Sequence, residues 1–475
     1  MRRNFFLLCL LLLNIFSSQA QNATLTLKEC IETALKNNII VKQSQLLMDN
    51  AGLNYLQAKN NRLPEVQSLF NYSISSGRSI DPFTNGYVNQ QLKSSGLDVQ
   101  GSLPLFGGFR LKNTIKQNEL SFAGANMEWQ QRKDELTLQV ILAYLQVLSD
   151  QDAIALAKQQ TVITKQQVDR IEIIGEEGAT LPGNISDLKG QYAGDKLTVV
   201  TAENNYESSV LALTQLMNIP YNEQLQFDRA TVTEGVQKFE STPDEIYALA
   251  TEKLAAVKAS ELRISSSAIA IKVAAATAYP SFALFGGAST NYSSAATLGS
   301  FSNSVDIPSN NYVVVNGTNL PVITRQDNFT YKNIPYANQF KNNISTFFGV
   351  SARIPIFNSF KTRTAIRLAK NDEKSSRLIA DNIKQQLRQA IDQAYVNINA
   401  TYKRYMALNE QADAYKESFR IASIRFENGV ISSPEYLIAK NNLERTNANI
   451  ITTTYEYLLR KNILDFYMGN LNYSR

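Results

Sequence analysis

The feature that most restricts what this chain can fold into is a duplication. Leu103-Pro104-Leu105-Phe106-Gly107-Gly108-Phe109-Arg110 returns 251 residues later as Ile354-Pro355-Ile356-Phe357-Asn358-Ser359-Phe360-Lys361. Before the first copy, Leu97, Val99, Gly101 and Leu103 alternate with Asp98, Gln100 and Ser102. Before the second, Phe348, Val350, Ala352 and Ile354 alternate with Gly349, Ser351 and Arg353. A period of two is the mark of a strand with one apolar and one polar face. After each copy comes a long run without proline. Arg110 to Ile174 contains one glycine, Gly124, and Lys361 to Asn428 contains neither glycine nor proline. The first run predicts a helix of ~100 Å at 1.5 Å per residue.

The same offset holds further on. Val140, Tyr144, Val147, Gln151 and Ile154 step by four and three, the spacing of a coiled-coil seam. Ile391, Tyr395, Ile398, Tyr402 and Tyr405 repeat it. Gly178 matches Gly429, and Met217 matches Met468. Agreement at strand, seam, turn and terminus predicts two copies of one structural unit.

The expected organisation follows. Residues 1–20 read as a secretory signal, with Arg2 and Arg3, an apolar core from Phe5 to Phe16, and Ser18-Gln19-Ala20 as the cleavage site. Repeat 1 spans 21–220: a helix from Leu27 to about Leu63, strands 66–76 and 96–104, a long helix 108–174, a tip turn and a shorter helix. Pro104 is expected to end the second strand. A polar connector covers 221–242. Repeat 2 spans 243–475, starting at Thr242-Pro243-Asp244-Glu245, with strands 281–292 and 345–355 and a long helix 360–428. Its segment 293–343, rich in Asn, Ser and Thr, reads as a long loop, carrying an insertion of 35 residues relative to repeat 1. The fold class is therefore mainly α with a small antiparallel β portion.

Several functions are set aside by the residues present. The chain has no histidine, which removes His-based metal sites and Ser-His nucleophiles. Gly178-Ala179-Thr180-Leu181-Pro182-Gly183 imitates a phosphate loop but continues Asn184-Ile185 where Lys and Ser/Thr are required. No carboxylate cluster stands out, so no enzyme and no cofactor are expected. Loss of Arg2 and Arg3 lowers the net charge from +5 to +3, and no basic tract points to nucleic acid. Cys30 alone remains in the mature chain and reads as a small core residue.

Four strands of roughly 9–11 residues, each with an apolar/polar dyad, suit an outer-membrane barrel. Lipid tolerates no open sheet edge, and the smallest such barrels have about eight strands. Closure thus calls for several chains: two would supply 8 strands and three would supply 12. A soluble sheet on helices, or a soluble periplasmic coiled-coil scaffold, is the competing reading.

These motifs, with the turn Arg425-Phe426-Glu427-Asn428-Gly429 leading into Ser433-Pro434-Glu435-Tyr436-Leu437, resemble the TolC-like outer membrane efflux protein family. The resemblance covers nearly all of the mature chain. It implies a homotrimer whose shared 12-stranded barrel sits in outer membrane lipid of a Gram-negative bacterium, above a periplasmic α-barrel of coiled helices. It implies a passive, porin-like exit duct for a tripartite efflux pump or type I secretion system. Partners would be a periplasmic adaptor and an inner-membrane transporter.

The resemblance also assigns sites. The helix-to-helix tips that meet the adaptor would be Ile174, Gly178 and Leu181 in the first repeat and Arg425, Gly429 and Ser433 in the second. Ile174 stands where the family pattern has arginine, and the first tip is three residues longer than the second. Asp187 and Glu435 match the acidic periplasmic constriction, while a further family acid is replaced by Ile438. Asp98, Gln100 and Arg353 would line the barrel lumen, and segment 293–343 would face outside the cell.

Overall fold

The computed structural model describes residues 24–81, 85–176, 182–229 and 235–470. The expected signal segment lies outside them. In chain order the elements are β1 (Thr24–Leu25), α1 (Leu27–Asn37), α2 (Ile39–Asn60), β2 (Glu65–Ser75), β3 (Arg78–Ile80), β4 (Tyr87–Asn89), β5 (Leu92–Gly107), α3 (Arg110–Glu176) and α4 (Pro182–Met217). Then follow β6 (Gln226–Phe227), α5 (Pro243–Lys253), α6 (Ala255–Ala276), β7 (Ser281–Ser293), β8 (Thr297–Val315), β9 (Thr318–Asn333), α7 (Tyr336–Asn342), β10 (Ser345–Arg353), α8 (Lys361–Glu427) and α9 (Ser433–Tyr467).

The duplication is written in backbone torsions as well as residues. Thr26 and Thr242 each close a capping box with the glutamate three residues on, Glu29 and Glu245. After the strands, Gly108 and Phe109 take left-handed φ of 61° and 63°; 251 residues later Ser359 and Phe360 take 54° and 61°. Phe106 meets Phe109 edge-on at 5.5 Å, and Phe357 meets Phe360 edge-on at 5.6 Å. At the far end Asn218 and Gly469 both turn left-handed. Behind them Ile219 N–H bonds the Thr214 carbonyl and Asn470 N–H the Asp465 carbonyl, the same helix-ending bond in both repeats. Gly108 has a second reason to lack a side chain. A Cβ there would sit 2.7 Å from the Ala276 carbonyl oxygen.

Three expectations are corrected. The first helix of each repeat is broken, at Asn38 and at Leu254, where both residues adopt extended ψ. Asn38 starts the new helix itself: its Oδ1 accepts from Ile40 N–H at 2.9 Å and Val41 N–H at 3.3 Å. Pro104 does not end β5. The strand pairs on to Gly107, with a register irregularity between Pro104 and Phe106 where the missing N–H falls. Finally, 293–343 is not a loop. It holds the β8–β9 hairpin and helix α7, and the hairpin accounts for the inserted residues. Asn316 and Gly317 carry it round with φ of 52° and 83°, both positive as a tight hairpin turn requires.

Chain contacts divide the molecule into two units. One comprises 54–117 and 268–371 and holds a four-stranded antiparallel sheet in the order β10-β7-β5-β2. Among the described residues its strands do not close within the chain: β10 and β2 are open edges.

The other unit comprises the described residues of 24–53, 118–267 and 372–470 and contains the apolar clusters. Val140, Tyr144 and Val147 of the first seam are fully buried, as are Ile391 and Ile398 of the second. Tyr144 Oη donates to the carbonyls of Leu25 and Asp228, at 3.1 and 2.7 Å, tying the parallel β1–β6 pair to α3.

Cys30 lies in the cluster around Tyr144 with no exposure, and burial pushes its thiol up to about 12, with nearby Glu29 adding to the rise. The thiolate is therefore scarce at neutral pH. Folded mature protein should stay unlabelled by a maleimide at pH 7.5, and unfolding in guanidinium should expose the Cys30 thiol. Labelling of the native protein would contradict this packing.

Candidate functional site: helix tips and sheet faces

The sheet sorts its side chains by chemistry. Register places Phe70 opposite Leu97, and Leu97 opposite Thr290; Gly286 pairs Phe348 and Leu284 pairs Val350. This face is largely apolar, and Phe70, Phe348 and Val350 are exposed on it. The opposite face carries Gln67, Asp98, Gln100, Ser102, Ser351 and Arg353. The three residues expected in a lumen thus share one face. It also bears a cavity of about 850 Å³ whose lining includes Glu65, Ser102, Ser351 and Arg353. Two aromatic rings interrupt it. Phe285 and Phe347 lie 6.2 Å apart, and Gly349 and Gly287 leave the space: a Cβ would come within 2.7 Å of the Phe285 ring or 2.8 Å of the Phe347 ring.

At the tips, Ile174 is in the last turn of α3, Arg425 in the last turn of α8, and Ser433 opens α9. Gly178 and Leu181 lie outside the described residues. Gly429 turns the second tip with φ of 70°, while Val430 N–H bonds the Arg425 carbonyl at 2.8 Å. Pro434 and Glu435 then suit the start of α9, one by its missing N–H and the other by its charge.

The structure joins two of the sequence-named residues directly. Buried Ser433 Oγ donates to Asp187 Oδ2 at 2.7 Å and lies 3.0 Å from Asn184 Oδ1. Glu435 is not part of this contact and is exposed.

Sequence reasoning missed the polar cluster behind the second tip. Lys440 Nζ on α9 lies 3.1 Å from Asp195 Oδ2 on α4 and also contacts Glu444 Oε1 one turn on. Lys440 and Asp195 are almost wholly buried. Thr164 Oγ1 of α3 donates to Asp195 Oδ2, and Gln191 Nε2 donates to Oδ1 at 2.6 Å. Burial pushes the Glu444 carboxyl above its usual range, against the hydrogen bond and charge of Lys440. Tyr436 lies one turn before Lys440. Its ring stacks on Phe426 at 4.8 Å, and its phenol is held well above the usual value by burial and by the charges of Glu444, Glu427 and Asp195. No local signal marked the cluster: Lys440 follows Tyr436 by four residues, and that spacing puts a charge on the core face of α9 only once Tyr436 is seen to be buried.

Comparison with known proteins bears on this arrangement. The sequence profile of the family described as "Outer membrane efflux protein" matches residues 30–218 and 246–470. The chain belongs to the outer membrane efflux protein family. The two matched stretches are the two repeats, and family membership displaces the soluble-scaffold reading.

The fold is that of solved outer membrane channels. CusC superposes with a TM-score of 0.73 at 15% identity, covering 93% of this chain and 91% of that one. The CmeC outer membrane channel of Campylobacter jejuni gives 0.71 at 16%, covering 95% and 86%. The MtrE outer membrane channel of Neisseria gonorrhoeae, solved in its open state, gives 0.70 at 18%, covering 94% and 88%. At such identities the likeness is one of fold. No curated protein sequence matches the chain. As a member of this family the efflux protein is placed in the outer membrane.

Proposed function

We propose that this outer membrane efflux protein is a passive exit duct formed by three copies, each giving four strands to one barrel. The observation that carries the reading is the open sheet with one apolar face. Two unpaired edges cannot be left in lipid, and four strands are too few to close on themselves. Its apolar face suits acyl chains; its polar face, with Asp98, Gln100 and Arg353, suits a wet bore. In this reading the chain moves cargo without catalysis, and energy comes from an inner-membrane transporter through a periplasmic adaptor.

The tips are the proposed adaptor contacts, at Ile174, Gly178 and Leu181 on one side and Arg425, Gly429 and Ser433 on the other. Asp187 and Glu435 are the proposed constriction. What supports this is their position at one end of the α3–α4 and α8–α9 helix pairs, with Asp187 bound to Ser433.

Three measurements test the reading. Purified protein should run as a trimer in detergent and produce discrete conductance steps in planar bilayers. Recovery as a soluble periplasmic monomer would refute it. Val430, exposed at the second tip, should crosslink to an adaptor as Val430→Cys in cells carrying a thiol-reactive bifunctional reagent. Capture of no adaptor there, with trimers intact, would remove the docking assignment.

A further inference from the structure

The β8–β9 hairpin is the element that the proposed duct leaves unexplained. It rises from the end of β7 remote from the helix-to-strand junction at Ser281. Its root is held firmly. Gln339 of α7 is buried; its Oε1 accepts from Ser293 N–H at 2.9 Å, and its Nε2 donates to the carbonyls of Ser293 and Ile334 at 3.0 and 2.9 Å. Buried Ser293 Oγ donates to Asp81, and Ile334 N–H bonds the Ala296 carbonyl at 3.0 Å. Every one of these bonds sits at the base, so the direction in which the hairpin leaves the sheet is fixed.

The distal half has the opposite character. From Pro308 to Thr324 there is no charged residue. Tyr312, Val313, Val314, Leu320 and Ile323 are all more than 45% exposed, and they stand on both faces of the ribbon. Charges are confined to the stem, where Asp306 pairs opposite Arg325. Among the described residues β8 and β9 pair only with each other. An isolated two-stranded ribbon is marginal in water. Pro308, Pro321 and the register irregularity after Pro308 blunt its edges, but the exposed Tyr, Val, Leu and Ile side chains of an uncharged tip still gain from being covered.

We propose that what covers it is the same tip of the other copies: the β8–β9 hairpins form a collar at the outer end of the duct, packed through residues 308–324. This rests on the trimeric reading above. Three considerations favour a copy over lipid or a foreign protein. Closure of the sheet by copies sets the three fixed roots on one ring. Around a three-fold axis the equivalent residues of the copies converge, so like charges there would repel, and this tip carries none. The stem charges, which would repel their images, stop short of it.

The test uses the whole mature protein, in which Cys30 is buried. Val313→Cys and Val314→Cys place a thiol on opposite faces of the ribbon. At least one should form intermolecular disulfides in native membranes. Linked dimers should reach roughly two thirds of the chains at most, since a three-fold contact leaves one thiol without a mate. Native mass spectrometry of the same sample reports the trimer independently. Intact trimers with both tips unlinked would overturn the collar alone, whether the thiols are open to an external maleimide or shielded by another molecule. Absence of the trimer would overturn the collar and the duct together.

Discussion

Lys440→Met is expected to destabilise the protein by about 3–5 kcal/mol, the usual cost of removing one partner from a buried ion pair. The methylene stem is replaced closely, so little packing is lost. What is lost is the cation between Asp195 and Glu444, which leaves two neighbouring carboxylates, Asp195 almost wholly buried and Glu444 largely so. Thermal or denaturant melts in detergent would show the shift. Removing all three charges, as Lys440→Met with Asp195→Leu and Glu444→Leu, should recover most of it, because no uncompensated charge then remains.

The variant's stability should also depend on pH with a definite sign. Burial already raises the Glu444 carboxyl above its ordinary 4.5, and loss of Lys440 raises it further. The folded state then holds the proton more tightly than the unfolded state, so stability falls as pH rises from 4.5 through the raised value. Lowering the pH across that window should narrow the gap between variant and parent. A single variant that melts with the parent at neutral pH would mean that the cluster is not dry.

Second in size is a pair of substitutions on neighbouring residues of β10. Val350→Arg puts a guanidinium on the apolar face, where a lipid-facing cation near the bilayer midplane costs about 2–4 kcal/mol. Ser351→Arg puts the same group one residue along on the polar face, the proposed wet bore. We expect the first to lower trimer yield in the outer membrane severalfold and the second to leave it near the parent level. Both residues are exposed within one chain, so a water-soluble sheet would tolerate both alike. Equal tolerance is the result that would remove the membrane assignment.

Much of this architecture is legible because it is periodic. The dyad before each hinge gave the strands and their faces, and the alternation of Asp98, Gln100 and Arg353 with apolar neighbours placed all three on one side before any register was known. The seams at Val140 and Ile391 were readable for the same reason. What escaped was of two kinds. The hairpin's Asn316-Gly317 turn was a readable signal, flanked by Val313 to Val315 and Leu320, but the surrounding Asn, Ser and Thr suggested a loop, and strands accept such residues when both faces are wet. The Lys440 cluster is assembled by tertiary contact across 245 residues, which no local pattern encodes. Asn38 lies between: its capping chemistry was visible, but a strong helical period on both sides concealed the break.

The left-handed pair at the hinge carries one more lesson. Ser359 holds a torsion close to that of Gly108, and Phe360 close to that of Phe109, although only the phenylalanine is common to the two copies. What the duplication passed down at this point is a bend with an aromatic brace rather than a glycine. The two halves of the subunit have been free to diverge in chemistry wherever the curve of the main chain could be kept by other means.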